Sequence, residues 1–170
     1  MTLTTISIIA ATAIYLAYNA ICLALFSIPE SLSNTYYLWK ERSNKGYLFC
    51  LIMYAVVALM MPAWITLSEG SNFQFLAFLA PASIAFVGTA PRFKDGDLEN
   101  KVHTISAIIA AACSLLWVVL FTPYWVLILG WFVCSAGFAL ITKTCKVSLV
   151  YWLEQVAFGS TFSAAIMYLL

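Results

Sequence analysis

The 170-residue chain is 64% hydrophobic, 16% aromatic and only 9% charged, with a formal net charge of +1. Soluble domains carry about 25% charged residues, so this composition excludes a water-facing globular surface. Disorder, nucleic-acid binding and a secreted disulfide scaffold are excluded with it, because each needs more polarity. The expected fold class is an all-α integral membrane protein, a six-transmembrane-helix bundle forming one domain.

A helix crossing the hydrocarbon needs about 20 mostly apolar residues. The first predicted span covers residues 4–28 and is closed by Pro29. The second covers 47–67, with Pro62 near its far end, and the third covers 73–90, closed by Pro91. The fourth runs over 103–121. The fifth, 123–142, opens at Pro123, where proline costs a helix least. The sixth runs over 147–170. A β-barrel is excluded because barrel strands alternate apolar and polar residues, whereas Leu51 to Leu59 is apolar on every face. A cleaved signal peptide is not expected, since the N-terminus lacks a basic region and the first apolar stretch is long enough to span.

The basic residues are Lys40, Arg42, Lys45, Arg92, Lys94, Lys101, Lys143 and Lys146. All fall in the first, third and fifth connections. The positive-inside rule then predicts both termini outside, N-out and C-out, with a bacterial inner membrane as the expected location.

The first connection, Pro29 to Gly46, mixes aromatics with lysines. That composition suits a segment in the headgroup layer, and a lid over a cytoplasm-facing cavity is the second reading. The third connection sets Arg92, Lys94 and Lys101 among Asp95, Asp97 and Glu99. A calcium-loop signature is missing, so a self-neutralising turn is expected. Small residues recur at Ser106, Ala107, Ala110 and Ala111, and again at Gly159, Ser160, Ser163 and Ala164. Such faces let helices approach closely. Packing within one bundle is the first reading, a homo-oligomer face the second.

The five cysteines are scattered, with no Cys-x-x-Cys pair. One histidine, His103, supplies too few ligands for a catalytic zinc or a bis-histidine haem. A Gly-x-Ser-x-Gly elbow, a phosphate loop and an intramembrane lysine are all missing. Accordingly, no catalytic residue, metal or cofactor is expected. Glu154 is the one ionisable group well inside a span, and such groups normally face the bundle interior. Asn19 and His103 lie in the same cytoplasmic third. The helical face of Glu154 continues through Ala157, Phe158, Thr161 and Ala165. This set reads either as a hydrogen-bonded cluster that fixes packing or as a site for a ligand or lipid headgroup.

Six spans, a charged third loop ending in Val102-His103, and a glutamate shortly before Ala157-Phe158-Gly159 resemble the DRAM-like group. These are the damage-regulated autophagy modulators and related six-span bacterial domains. Phe93 and Asp95 stand where the group has a phenylalanine and an acid ahead of its Val-His pair. The resemblance covers mainly the second half of the chain and implies a non-enzymatic, lipid-associated role. The ligand- or lipid-binding candidates are Glu154, His103, Asn19, Thr161 and Asp95, and the resemblance carries over only His103 and Glu154, as structural or ligand-contacting groups. A lipid- or ligand-binding, organising protein with a polar cavity in the cytoplasmic third is the expected function. Membrane lipid is its expected partner; nucleic acid is not one. The second reading is a small transporter or oligomeric channel using Glu154 for a proton or cation. A lipid-headgroup enzyme with His103 as base comes third.

Overall fold

In the computed structural model, which describes residues 2–169, all the regular structure is helical. Seven helices follow one another: α1 (Leu3–Phe26), α2 (Thr35–Ser43), α3 (Tyr47–Leu67), α4 (Gln74–Thr89), α5 (Asp97–Phe121), α6 (Val126–Ile141) and α7 (Leu149–Leu169). Three of them, α1, α3 and α5, are long and apolar enough to cross a membrane. The apolar helices α4 and α6 are shorter, at 16 residues each. Helix α7 has 21 residues but falls outside that group, because Glu154, Gln155 and the Gly159-Ser160-Thr161 run lower its hydropathy.

Local chemistry moves several boundaries from those expected. Helix α1 is capped by Thr2, whose hydroxyl accepts from Thr5 N–H at 3.2 Å. It ends at Ser27, whose φ of 63° breaks the helical path before Pro29 is reached. The first connection contains α2, which stops at Asn44 in the left-handed conformation that asparagine tolerates. Helix α5 starts at Asp97, not at His103, and so absorbs half of the third connection. Asp97 and Glu99 lie in its first turn, where acids complement the helix dipole. Helix α6 starts at Val126, leaving Pro123 ahead of it in a turn closed by Leu127 N–H on Tyr124 O at 2.9 Å.

The helices α1, α3, α4, α5 and α7 pack in that order into a ring that closes on α1, with α6 outside it, mainly against α7, and α2 against α3. The core inside is made by Ile8 and Tyr15 of α1, Phe49 and Met53 of α3, Trp117 of α5 and Phe162 of α7. Large apolar side chains also point outward from all around the bundle, among them Leu16, Leu51, Phe86, Ile108, Phe132 and Leu153. A surface of that kind suits a hydrocarbon solvent, in which helices satisfy their own backbone.

The small residues of α7 serve packing within the chain. At Gly159 the indole of Trp131 occupies the space a Cβ would need, and Trp131 Nε1 donates to Ser163 Oγ at 3.1 Å. Ser160 and Ala164 are fully buried. At the end of the bundle remote from the basic residues, aromatic rings pin three helices. Trp64 meets Trp117 edge-on at 4.9 Å, Phe121 stacks on Trp117 at 5.0 Å, and Tyr168 lies 4.9 Å from Phe121. Trp117 Nε1 donates to Ser68 Oγ at 2.7 Å.

Candidate functional site

Helix N-termini leave main-chain N–H groups without intrahelical partners. At the start of α7 the first connection supplies one, because Glu30 O accepts from Tyr151 N–H at 3.1 Å. Two residues on, the exchange is reversed: Leu32 N–H donates to Glu154 Oε2 at 2.5 Å. Thr35 Oγ1 donates to Leu32 O at 2.6 Å, and the Tyr18 and Thr35 hydroxyls share a 2.6 Å hydrogen bond. Leu32, Ser33, Asn34 and Thr35 are all buried. Residues 32–35 therefore dip into the basic end of the ring as a plug, while the rest of α2 packs on α3.

Beneath this plug lies a crevice of about 80 Å³ between α3, α4, α5 and α7. Its wall is almost wholly apolar, with Met53, Met60 and Trp64 from α3, Pro81 from α4, and Ala110 and Ala111 from α5. Glu154 stands at the plug end together with Leu32 and Ser33, and Thr161 lies two turns further along α7. One oxygen of Glu154 is taken by Leu32. The other makes no hydrogen bond among the described residues.

Of the predicted site residues, the structure brings Glu154 and Thr161 to one crevice. Asn19 backs onto α7 without lining that crevice. Its Oδ1 accepts from Gln155 Nε2 at 3.2 Å and from the Tyr151 hydroxyl at 3.3 Å, and its Nδ2 donates to Tyr15 O at 3.1 Å. The Tyr15 hydroxyl donates to Gln155 Oε1 at 3.0 Å. Asn19 thus belongs to an α1–α7 hydrogen-bond chain beside Glu154. Tyr15, Tyr151 and Gln155, the rest of that chain, were not among the predicted residues. The signal was present: Tyr15/Asn19 and Tyr151/Gln155 are both polar pairs spaced one turn apart.

His103 is 5% exposed and lies outside the crevice lining. Its Nδ1 lies 2.9 Å from Ala90 O; a carbonyl only accepts, so this nitrogen carries the proton. The ring stacks on Phe93 at 4.4 Å. The histidine therefore secures the C-terminus of α4 and the third connection. It shares no partner with Glu154, and the expected meeting of Asn19, His103 and Glu154 in one cluster resolves into separate hydrogen-bonded groups.

Asp95 is exposed and faces the first connection. Arg92 Nε donates to Asp95 Oδ2 at 2.9 Å, and the Tyr37 hydroxyl donates to Asp95 Oδ1 at 3.3 Å. The Arg92 hydrogen bond holds the Asp95 carboxyl below its ordinary range and raises Arg92 in turn. Desolvation pushes the Tyr37 phenol up, against the opposing hydrogen bond from Lys94 N–H. That bond is 2.8 Å long, and Lys94 Nζ reaches Glu30 Oε2 at 2.9 Å and Asn34 Oδ1 at 2.8 Å. Lys94 thus ties the third connection to the plug through Asn34, and Asp95 ties it to α2 through Tyr37. The self-neutralising turn is present and is also a clasp.

Among the described residues, no three His, Cys, Asp or Glu side chains gather in a way that could hold a metal ion. Neither a family model, nor a curated protein, nor a solved structure matches this chain.

Proposed function

We propose that the protein is a non-enzymatic, six-span membrane protein that holds a slender chain-like lipid or amphiphile in its crevice, with both termini outside. The observation that carries this reading is the crevice itself: apolar along its walls and bounded at the basic end by a carboxylate. Its volume of about 80 Å³ is far below the roughly 300–1,000 Å³ of drug-sized sites, which favours a single unbranched chain over a ring system. Met53 and Met60 line it, and methionine side chains readjust easily around an occupant.

The six-span arrangement takes α4, α6 and α7 as crossing helices beside α1, α3 and α5. Helices α4 and α6, 16 residues each, rise about 24 Å. Flanking turns and local bilayer thinning cover the shortfall. All eight lysines and arginines lie at the end where α1 finishes and α3 begins, which supports a cytoplasmic plug. The similarity to the DRAM-like group points to the same lipid-associated role, and a bacterial inner membrane is the proposed location.

The test is extraction of the protein in native nanodiscs and identification of retained lipid by mass spectrometry. Ala110→Phe fills the crevice wall, and the parent should retain a chain-bearing lipid that this variant loses. Equal lipid content in the two proteins overturns the reading. For orientation, single reporter thiols in a cysteine-free background serve: Thr2→Cys should react from outside intact cells and Asn44→Cys should not.

One observation favours proton or cation passage as a second reading. The Tyr151–Asn19–Gln155–Tyr15 chain runs beside Glu154 across α1 and α7. A Glu154-dependent flux in proteoliposomes would place this reading first. The headgroup-enzyme reading has no such support, because His103 is bonded to Ala90 and lies off the crevice.

A further inference from the structure

The side-chain nitrogen and oxygen atoms of the crevice lining belong to Ser33, Trp64, Ser114, Glu154 and Thr161. Trp64 Nε1 and Thr161 Oγ1 are enclosed by their neighbours and offer no surface to an occupant. Ser114 Oγ donates to Ala111 O at 3.0 Å, and Glu154 Oε2 accepts from Leu32 N–H. Two atoms are left, Glu154 Oε1 and Ser33 Oγ. Neither has a hydrogen bond among the described residues, and neither is among the enclosed unbonded atoms, so both keep accessible surface.

Both belong to the plug end. Ser33 directly follows Leu32, whose N–H holds the other oxygen of Glu154. From Glu154 the lining continues past Ala157 and Phe158 to Thr161, about 10 Å along α7. The cleft is therefore polar at one end only.

Glu154 also lacks a counter-charge. Neither ion pair of the described residues includes it. Lys94, which reaches the plug, is taken by Glu30 and Asn34, and His103 is bonded to Ala90 O. Carboxylates inside a bundle ordinarily pair with another group. An ionised carboxylate only accepts, so a partner for Oε1 must bring the hydrogen.

We propose that the plug end is a head-group subsite for a primary ammonium, which a single-chain amphiphile donates to Glu154 Oε1 while its tail follows Met53, Met60 and Ala110. The proposal rests on the chain-binding reading above and narrows its ligand class. Amine-headed chains are selected over hydroxyl-headed ones, and carboxylate-headed chains are repelled. Ser33 Oγ, which accepts as well as donates, lies at the same end of the cleft.

Dodecylamine, dodecanol and dodecanoate share one chain and differ in the head, so they separate these cases. Each is added to the protein in phosphatidylcholine nanodiscs, and retention is counted above that of protein-free discs. Amine retention should exceed alcohol retention roughly ten-fold, the worth of one charge-assisted hydrogen bond. Dodecanoate should fall below the alcohol. Glu154→Gln keeps an acceptor for Leu32 and removes the charge, so amine retention should fall to the level of the alcohol. Melting temperature is read alongside; should this variant not fold, the ranking of heads by the parent decides alone. Ala110→Phe fills the crevice wall and should lose amine and alcohol alike.

Alcohol or dodecanoate retained by the parent as well as the amine, or an amine preference that survives Glu154→Gln, overturns the subsite and leaves chain binding standing. Retention of no probe, or alcohol retention untouched by Ala110→Phe, overturns chain binding and the subsite with it.

Discussion

The main-chain N–H of Leu32 and the carboxylate of Glu154 are 122 residues apart in sequence and 2.5 Å apart in space. This contact explains how α7 tolerates an acid well inside an apolar helix. An ionisable group there is expensive unless it is bonded, and the plug brings it a donor that needs an acceptor of its own. The two costs offset each other.

Glu154→Gln keeps an amide oxygen able to accept from Leu32 and should lower stability only slightly. Glu154→Leu leaves the buried Leu32 N–H without a partner and should cost about 1–3 kcal/mol. Thermal unfolding of the two variants in the same detergent makes the comparison. Equal stability of the leucine variant and the parent would show that the contact contributes nothing.

Gly159 sits against the face of Trp131, where the indole already fills the space of a Cβ. Gly159→Ala should therefore force α6 away from α7 and cost about 1–3 kcal/mol, as overpacking does. Trp131→Ala alone opens a gap. Combined with Gly159→Ala it should recover part of the loss, a non-additivity that a double-mutant cycle reads directly.

Lys94 bridges Glu30 and Asn34 from the third connection, with its side chain 45% exposed. A pair so open to water stabilises by less than about 1 kcal/mol, so Lys94→Met should scarcely move the melting temperature. Its effect should appear in the plug. Hydrogen exchange at the Leu32 and Tyr151 amides should speed up in this variant while amides in the middle of α3 stay as slow as before.

Asp95 has a depressed folded-state pKa, chiefly through its hydrogen bond from Arg92. A lowered carboxyl pKa gives stabilisation that is present above the unfolded value and is lost as pH falls through the folded one. The clasp between the third connection and Tyr37 should therefore loosen only in acid, below the ordinary carboxylate range. Side-chain NMR of Asp95 should show this, and Asp95→Asn should give a Tyr37 environment with no such acid transition.

Much of this architecture is legible in the residues. Continuous apolar runs longer than the half-buried faces of a soluble bundle require helices, and the starts of α3 and α7 lie close to where those runs begin. The burial of Thr161 and the half-burial of Glu154 follow from their shared helical face. The starts of α5 and α6 were not legible, because they depend on local competition: first-turn acids at Asp97 and Glu99 extend one helix, and the Thr122–Trp125 turn delays the other. The plug was visible only as one of two readings of an aromatic, lysine-rich loop.

Composition and periodicity by themselves determined an all-helical, membrane-type chain, the side of the bundle on which its charges gather, and the singular position of Glu154. Only the tertiary structure decided which polar groups meet. It paired Glu154 with a backbone N–H of the first connection, joined Asn19 to Gln155 and Tyr151, and bonded His103 to the end of α4. It also left Trp64 Nε1 and Thr161 Oγ1 buried with no hydrogen bond among the described residues. The physical reason is that helical periodicity sets the direction of a side chain about its own axis, whereas hydrogen-bond partners depend on the order in which helices close the ring and on how far each slides along its neighbours.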